Sequence, residues 1–542
     1  MKWPRLSLIL ILLLLLILVA STDCGSGRKE GNGLGRKDSY GPALSGNGRY
    51  VAFVSYDPAL RDLLKIDCPE ELCWQVYVRD VQTGDITLAS SDSEGKPART
   101  AGAVVDPHGY PYGGGTSSPF GKGPTQVSIS DDGRYVVFSS YALNSSGEAA
   151  LFRKDMQSGE LSSVSAPPAA PQNLATFFLP AMSGDGRFIA YWTYSPALFQ
   201  GGEGAKLYVR DMTAAQSEVI PLDGLPGGKD VGLPDTPNAV TISDDGRFVA
   251  FAASLSGSSG LQSEGQRVDV TPSGIATSPI TGSGLQPGIF MTDRQTGELR
   301  AISTSSSGEN ANGPSYSASI SGDGRFAVFG SGASNLVSEP TCVKITASCS
   351  NVYLKNLQSG ETKLLSKNES GAAMNNAGSP VISKDGGAVA FVTLKAIPPT
   401  SLTEPTTSTP PVQETIYRIN LKSGDMIPVT PELRDGQKET GVTSVPKYNL
   451  RGPVTRDGAG QVLRVSSALA GYQGISISAD GRFVAFPALS SWLGMEDRMC
   501  TFRISRKREV PHWLDTSPPD PCIEIFLKDV TNGELSRLSS SS

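Results

Sequence analysis

The pattern of apolar and polar positions is dominated by one short figure that returns seven times. Its clearest copy starts at Gln126. QVSIS alternates with period two, Asp131-Asp132-Gly133 supplies a tight turn, and RYVVFSS alternates again, with Tyr135 and Val137 on one face and Val136 and Phe138 on the other. This predicts a β-hairpin in which Gly133 takes a positive φ and Asp132 caps the turn through the backbone two residues on. The turn recurs as Ser45-Gly-Asn-Gly-Arg49, Ser130-Asp-Asp-Gly-Arg134, Ser183-Gly-Asp-Gly-Arg187, Ser243-Asp-Asp-Gly-Arg247, Ser321-Gly-Asp-Gly-Arg325, Ser383-Lys-Asp-Gly-Gly387 and Ser478-Ala-Asp-Gly-Arg482. A second hairpin follows each copy after a variable gap, as in ALFRKDMQSGELSSVS from Ala150 to Ser165. It returns at 76–90, 207–220, 289–303, 352–366, 416–430 and 525–539.

Each repeat therefore predicts four strands, a to d. A four-stranded unit carries two apolar faces and buries neither alone, whereas seven units around one axis bury both and leave few edges. The predicted fold is all-β, a seven-bladed β-propeller with four antiparallel strands per blade. The blades are expected at about 41–91, 124–167, 178–222, 238–304, 315–367, 378–430 and 474–540. A sandwich or a two-domain plan does not explain seven copies of the same two hairpins with no helical segment between them.

Ahead of the repeats, Lys2 and Arg5 precede an apolar run from Leu6 to Ala20, which is followed by the polar stretch STDCGSGRKEGNG. This predicts a signal peptide over 1–20, a polar linker over 21–41 and a propeller over 42–540 in a product exported to the periplasm or beyond the cell. Cys24, just after the apolar run, is a candidate lipid-attachment site and the only expected route to a membrane. The six other cysteines pair by proximity as Cys68 with Cys73, Cys342 with Cys349 and Cys500 with Cys522. Disulfides agree with an oxidising compartment, and none of the spacings is that of a zinc or redox pair.

The pairing of SxDGR-apolar-Phe with (Y/F)xxD-x-x-(T/S)-G resembles the repeats of the TolB-type propellers, mostly bacterial exported proteins, over roughly residues 42–540. The resemblance implies a propeller and a role in the cell envelope. The family's usual turn proline is replaced at residues 46, 131, 184, 244, 322, 384 and 479, and the polar linker stands where TolB has an α/β domain. Family members that act as polysaccharide lyases use several histidines, and this chain has two.

Because strands alternate in direction, the a–b and c–d turns share one rim of the disc, and both are short in nearly every copy. All the length variation falls on the opposite rim. There the b-to-c insertions are 57–74, 255–287, 331–350, 394–413 and 488–521, and the crossings are 92–123, 168–177, 223–237 and 431–473. All three expected disulfides lie on that rim too. Loops on a rigid scaffold are where binding is usually built. The candidate ligand contacts are His108, Tyr110 and Tyr112 on a glycine-rich crossing and His512 and Trp513 in the blade 7 insertion.

Net charge is −6, with 18% charged residues, and no basic stripe of the kind nucleic acid requires. The turn residues Asn47, Asp132, Asp185, Asp245, Asp323, Asp385 and Asp480 offer one or two acids before each glycine, too few for a calcium loop, and read as structural caps. The residues at 80, 155, 211, 293 and 529, with Asn356 and Asn420, read the same way. The arginines at 49, 134, 187, 247, 325 and 482 are expected across the turn or paired with a neighbouring acid. No G-x-S-x-G elbow, phosphate-binding loop, metal set or cofactor motif stands out. The expectation is a monomeric, non-enzymatic binding or scaffolding protein for a protein or polysaccharide of the envelope. The rival is a carbohydrate- or peptide-processing enzyme using channel carboxylates on the insertion rim, with Asp106, Asp269 and Asp515 as candidates.

Overall fold

The computed structural model describes residues 39–55, 57–67, 74–98, 127–140, 150–165, 176–194, 206–222, 231–232, 240–255, 268–271, 274–277, 288–339, 341, 349–396, 412–430, 474–489, 493 and 523–540. They form a seven-bladed β-propeller of four antiparallel strands per blade.

Blade 1 is β1 (Ser39–Leu44), β2 (Tyr50–Ser55), β3 (Gln75–Asp80) and β4 (Ile86–Leu88); blade 2 is β5 (Ser128–Ile129), β6 (Tyr135–Ser140), β7 (Ala150–Asp155) and β8 (Leu161–Ser163). Blade 3 is β9 (Thr176–Met182), β10 (Phe188–Tyr194), β11 (Lys206–Asp211) and β12 (Gln216–Val219). In blade 4 a short strand, β13 (Val231–Gly232), precedes β14 (Val240–Ile242) and β15 (Phe248–Leu255). A hairpin of β16 (Val268–Thr271) and β17 (Gly274–Thr277) then interrupts the blade before β18 (Gly288–Asp293) and β19 (Glu298–Ala301). Blade 5 is β20 (Ser315–Ile320), β21 (Phe326–Ser331), β22 (Asn351–Asn356) and β23 (Thr362–Leu364). Blade 6 is β24 (Ala377–Ile382), β25 (Ala388–Ala396), β26 (Val412–Asn420) and β27 (Met426–Pro428). Blade 7 is β28 (Ser476–Ile477), β29 (Phe483–Leu489), β30 (Ile523–Asp529) and β31 (Leu535–Arg537).

Period-two alternation places each blade between two neighbours. In blade 1, Val51 and Phe53 pack with Ala485 and Leu527 of blade 7, while Ala52 and Val54 pack with Val136 and Phe138 of blade 2. Tyr135 and Val137 then turn to blade 3, beside Ile189 and Tyr191. The remaining clusters fill the other boundaries in the same way. No cluster is completed by a single blade, which is the physical reason the units need one another.

The ring closes without exchanging a strand, since β1–β4 and β28–β31 each form a sheet of their own. Closure rests on side chains and loops. The Leu44 amide donates to Ser476 Oγ at 2.9 Å, and the Ala479 amide to the Gly46 carbonyl at 2.9 Å. Arg79 Nη1 donates to the carbonyls of Leu538 and Ser540 at 3.1 and 2.7 Å. Cations one residue before the end of strand c brace two other boundaries at the outer edge. Lys154 Nζ reaches the carbonyls of Ser91 and Asp92 in blade 1, and Lys355 Nζ those of Thr304 and Ser305 in blade 4.

Besides β13 and the β16–β17 hairpin, which fall in segments expected as connections, two further details depart from the sequence reading. The first strand begins at Ser39, inside the segment expected as linker, because Tyr40 is buried against Trp74. The insertion after β2 holds a helical turn, α1 (Pro58–Leu63), where only loop was expected. Asp57 caps it by accepting from the Ala59 amide, and Leu60 anchors it in the blade 7/blade 1 cluster. No helix among the described residues is long and apolar enough to cross a membrane.

Candidate functional site

The tight-turn rim is built from one hydrogen-bonded unit. The turn serine is fully buried, and its Oγ donates to the acid or Asn47 two residues on at 2.5–2.7 Å. The same oxygen of that residue accepts the next-but-one backbone amide at 2.8–3.0 Å. The serine Oγ in turn accepts the amide that opens strand b. Asn47, Asp132, Asp185, Asp245, Asp323, Asp385 and Asp480 all stand in this cap position.

A second layer ties strand b to strand c. Arg49, Arg134, Arg187, Arg247 and Arg482 pair with Asp80, Asp155, Asp211, Asp293 and Asp529 at 2.6–2.7 Å. Each of these guanidiniums also lies over the aromatic ring of the following residue. The paired guanidinium is the main reason all five carboxyls sit below the ordinary range, Asp211 and Asp293 at about 2. In blade 5, Asn356 stands at the acid's position and Arg325 turns back to Asp323. In blade 6, Gly387 and Asn420 leave no pair to make.

The aromatic ring at the start of strand b packs onto the turn glycine of the next blade. Tyr50 lies against Gly133, which has φ +79°, and Phe483 of blade 7 lies against Gly48 of blade 1, with φ +71°. A side chain at either glycine would be strained by the backbone and would strike the ring.

At the axis the seven turns meet through their second residues: Gly46, Asp131, Gly184, Asp244, Gly322, Lys384 and Ala479. Backbone bonds join successive turns: Asn47 N–H to Asp131 O (3.0 Å), Asp131 to Gly184 (2.8 Å), Asp244 to Gly322 (2.9 Å), Gly322 to Lys384 (2.8 Å), Asp385 to Ala479 (3.0 Å) and Ala479 to Gly46 (2.9 Å). The step from blade 3 to blade 4 carries no such bond. Lys384 of blade 6 reaches across to blades 2 and 4, its Nζ 2.6 Å from Asp131 Oδ1 and 2.7 Å from Asp244 Oδ1. The small residues make room for it. A Cβ on Gly46 would come within 2.6 Å of the Asp131 carboxyl, and one on Gly184 or Gly322 would run into Asp131 or Asp244. Burial pushes the Asp131 carboxyl up, against the pull of Lys384 and with a further push from Asp244 and Asp132.

Chemically, this end of the channel is a charge-bridged stopper. Asp131 and Asp244 thus form an acid pair on the tight-turn rim, and an ammonium bridges it. Asp269 stands on β16 opposite Ala276. His108, Tyr110, Tyr112, His512, Trp513, Asp106 and Asp515 lie outside the described residues, as do Cys24, Cys68, Cys73, Cys342, Cys500 and Cys522. Cys349 is disulfide-bonded, and among the described residues no two cysteines are joined to each other.

The axial cluster escaped the sequence reading, although its signal was present. Three charged residues among three glycines and an alanine occupy one repeat position. A second missed position is the hydroxyl at the end of strand d. Ser90, Ser165, Ser303, Ser366, Thr430 and Ser539 each accept a strand c amide at 2.9–3.1 Å.

No protein-family model and no curated protein matches the chain. Solved structures of similar form include TolB from Acinetobacter baumannii, at 13% identity, 85% of this chain and 77% of that one, with TM-score 0.34. Oligogalacturonate lyase from Vibrio parahaemolyticus follows at 11% identity, 84% and 87% coverage and TM-score 0.43. Acylaminoacyl peptidase from Pyrococcus horikoshii matches at 10% identity, 93% and 52% coverage and TM-score 0.44. The chain spans about half of that peptidase. The likeness to the TolB-like propellers is one of fold at low identity, and no role passes to this chain from any of these proteins.

Proposed function

We propose that this chain is a TolB-type propeller that works as a non-enzymatic exported module, binding or scaffolding a protein or polysaccharide of the cell envelope through its long-loop rim. It acts as a monomer in the periplasm or outside the cell, and meets a membrane only if Cys24 is acylated. The observation that carries this reading is the asymmetry of the disc. On one rim every turn is short and capped, six of the seven steps between neighbouring turns carry a backbone bond, and the axial mouth is bridged by Lys384. The long connections leave from the opposite rim, between the ends of strands b and c and between blades. A rigid ring with variable loops at one end is suited to present a binding surface.

The test is capture of envelope components by the mature chain, compared with a chain shortened within 99–123 and 494–521. These limits spare Asp92 and Ala98, whose carbonyls hold Lys154 and Gln75. Loss of a specific captured component on shortening supports the reading, and unchanged capture overturns it.

One observation favours a second reading, a carbohydrate- or peptide-processing enzyme, with its carboxylates on the tight-turn rim instead of the insertion rim expected from the sequence. Asp131, with its carboxyl raised by burial, lies beside Asp244 in the channel. Turnover of polysaccharide or peptide by the mature chain that is abolished in Asp131→Asn would establish it. Turnover that survives this change, or is absent throughout, would remove it.

A further inference from the structure

We infer that Lys384 is an electrostatic brace that spans the one axial step lacking a backbone bond, so that blades 3 and 4 form the weakest seam of the tight-turn mouth and Lys384 is what holds it shut. Six of the seven steps around the axis are tied by an amide and a carbonyl. The seventh, between Gly184 and Asp244, is flanked by the two acids that Lys384 contacts, Asp131 on the blade 2 side and Asp244 on the blade 4 side. The ammonium therefore joins blade 2 to blade 4 across blade 3, doing from the channel what the missing bond does elsewhere. Both carboxylates fit around Gly184, where a Cβ would strike Asp131 Oδ2 and lie 2.9 Å from Asp244 Oδ1. The lysine itself arrives on the tied part of the ring, since its carbonyl accepts from Gly322 and the next amide donates to Ala479.

Alternative partners for the ammonium are few. Gly46, Gly184, Gly322 and Ala479 bring no charge to the axis. The turn acids Asp132, Asp185, Asp245, Asp323, Asp385 and Asp480 each use one carboxylate oxygen in their own turn. Removing Lys384 leaves Asp131 and Asp244 facing one another with like charge, and removing either acid cuts one leg of the bridge. The seam is also held farther out, by Phe188 against Gly246 and by Arg294 paired with Glu218 at 2.8 Å. The loss is thus a local opening at the axis rather than unfolding of the blades.

Amide hydrogen exchange on the full mature chain tests this with Lys384→Met, Asp244→Asn and the double variant. The brace predicts that each single change speeds exchange in the 183–187 and 243–247 turns about tenfold. It predicts that the double variant is no faster than the faster single variant, because both changes cut the same bridge. Residues 351–366 in blade 5 serve as the fold control and keep their protection. Unchanged exchange in the two turns, independent effects that multiply in the double variant, or equal loss of protection in 351–366 would each overturn the inference. Asp244→Asn changes few atoms, so the test stands even where Lys384→Met does not fold.

Discussion

At the scale of single residues, the repeated acids divide by what their environment does to their charge. Asp211 and Asp293 are held at about 2 by their arginines, below the ordinary 3.8. Because the folded value is depressed, the stability each contributes is present above about pH 4 and is lost as the pH falls through about 2. Asp131 has the opposite sign. Its carboxyl is raised by burial, so its ionisation opposes folding, and its contribution weakens as the pH climbs above the ordinary value. Asp293→Asn should therefore cost about 1 kcal/mol at neutral pH and almost nothing at pH 2 in urea unfolding. The cost is small because Arg247 is 39% exposed and solvent screens the pair. The sequence made the aspartates legible as caps, since Asp before Gly in a short turn is local chemistry. It did not make the arginine pairing definite, because the partners sit 21 to 47 residues apart. The axial bridge was harder still, with Lys384 and Asp244 140 residues apart and juxtaposed only by the ring.

At the scale of elements, the hairpins were readable because alternation and turn residues act within a few positions, and Tyr135, Val136, Val137 and Phe138 face as their pattern implies. The helical turn at Pro58–Leu63 was not, since six residues carry too short a periodicity and the element depends on the Asp57 cap and burial of Leu60. Blade 6 is where the repeat is least complete, with Gly387, Ala388 and Asn420 in place of arginine, aromatic ring and acid. As a result Gly481 of blade 7 meets the Ala388 methyl, where the other turn glycines meet a ring. Introducing Gly387→Arg together with Asn420→Asp should restore the clamp and raise stability by about 0.5–1 kcal/mol in urea unfolding. A Cβ at 387 would stand 3.1 Å from Asp385 Oδ1, a contact that a small movement of that side chain relieves. The single Gly387→Arg change, lacking its acid, should gain less than the pair.

At the scale of the whole molecule, each boundary is filled by side chains from two blades, and the last blade meets the first by packing rather than by a shared strand. A closed ring and an open stack make the same local contacts at six boundaries and differ at the seventh. The difference is one of coupling. In an open array a weakened unit is felt by its neighbours alone, whereas in a ring shut by contacts among all blades a break at the closure loosens the disc as a whole. Phe483 is the residue to change, because its ring lies on Gly48 across that boundary and packs in the cluster that joins blades 7 and 1. The decisive measurement is amide hydrogen exchange across all seven blades, with and without Phe483→Ala. A closed propeller predicts that protection falls in blade 4, in strands Phe248–Leu255 and Gly288–Asp293, as well as in blades 7 and 1. Loss confined to blades 7 and 1, with blade 4 unmoved, would contradict it.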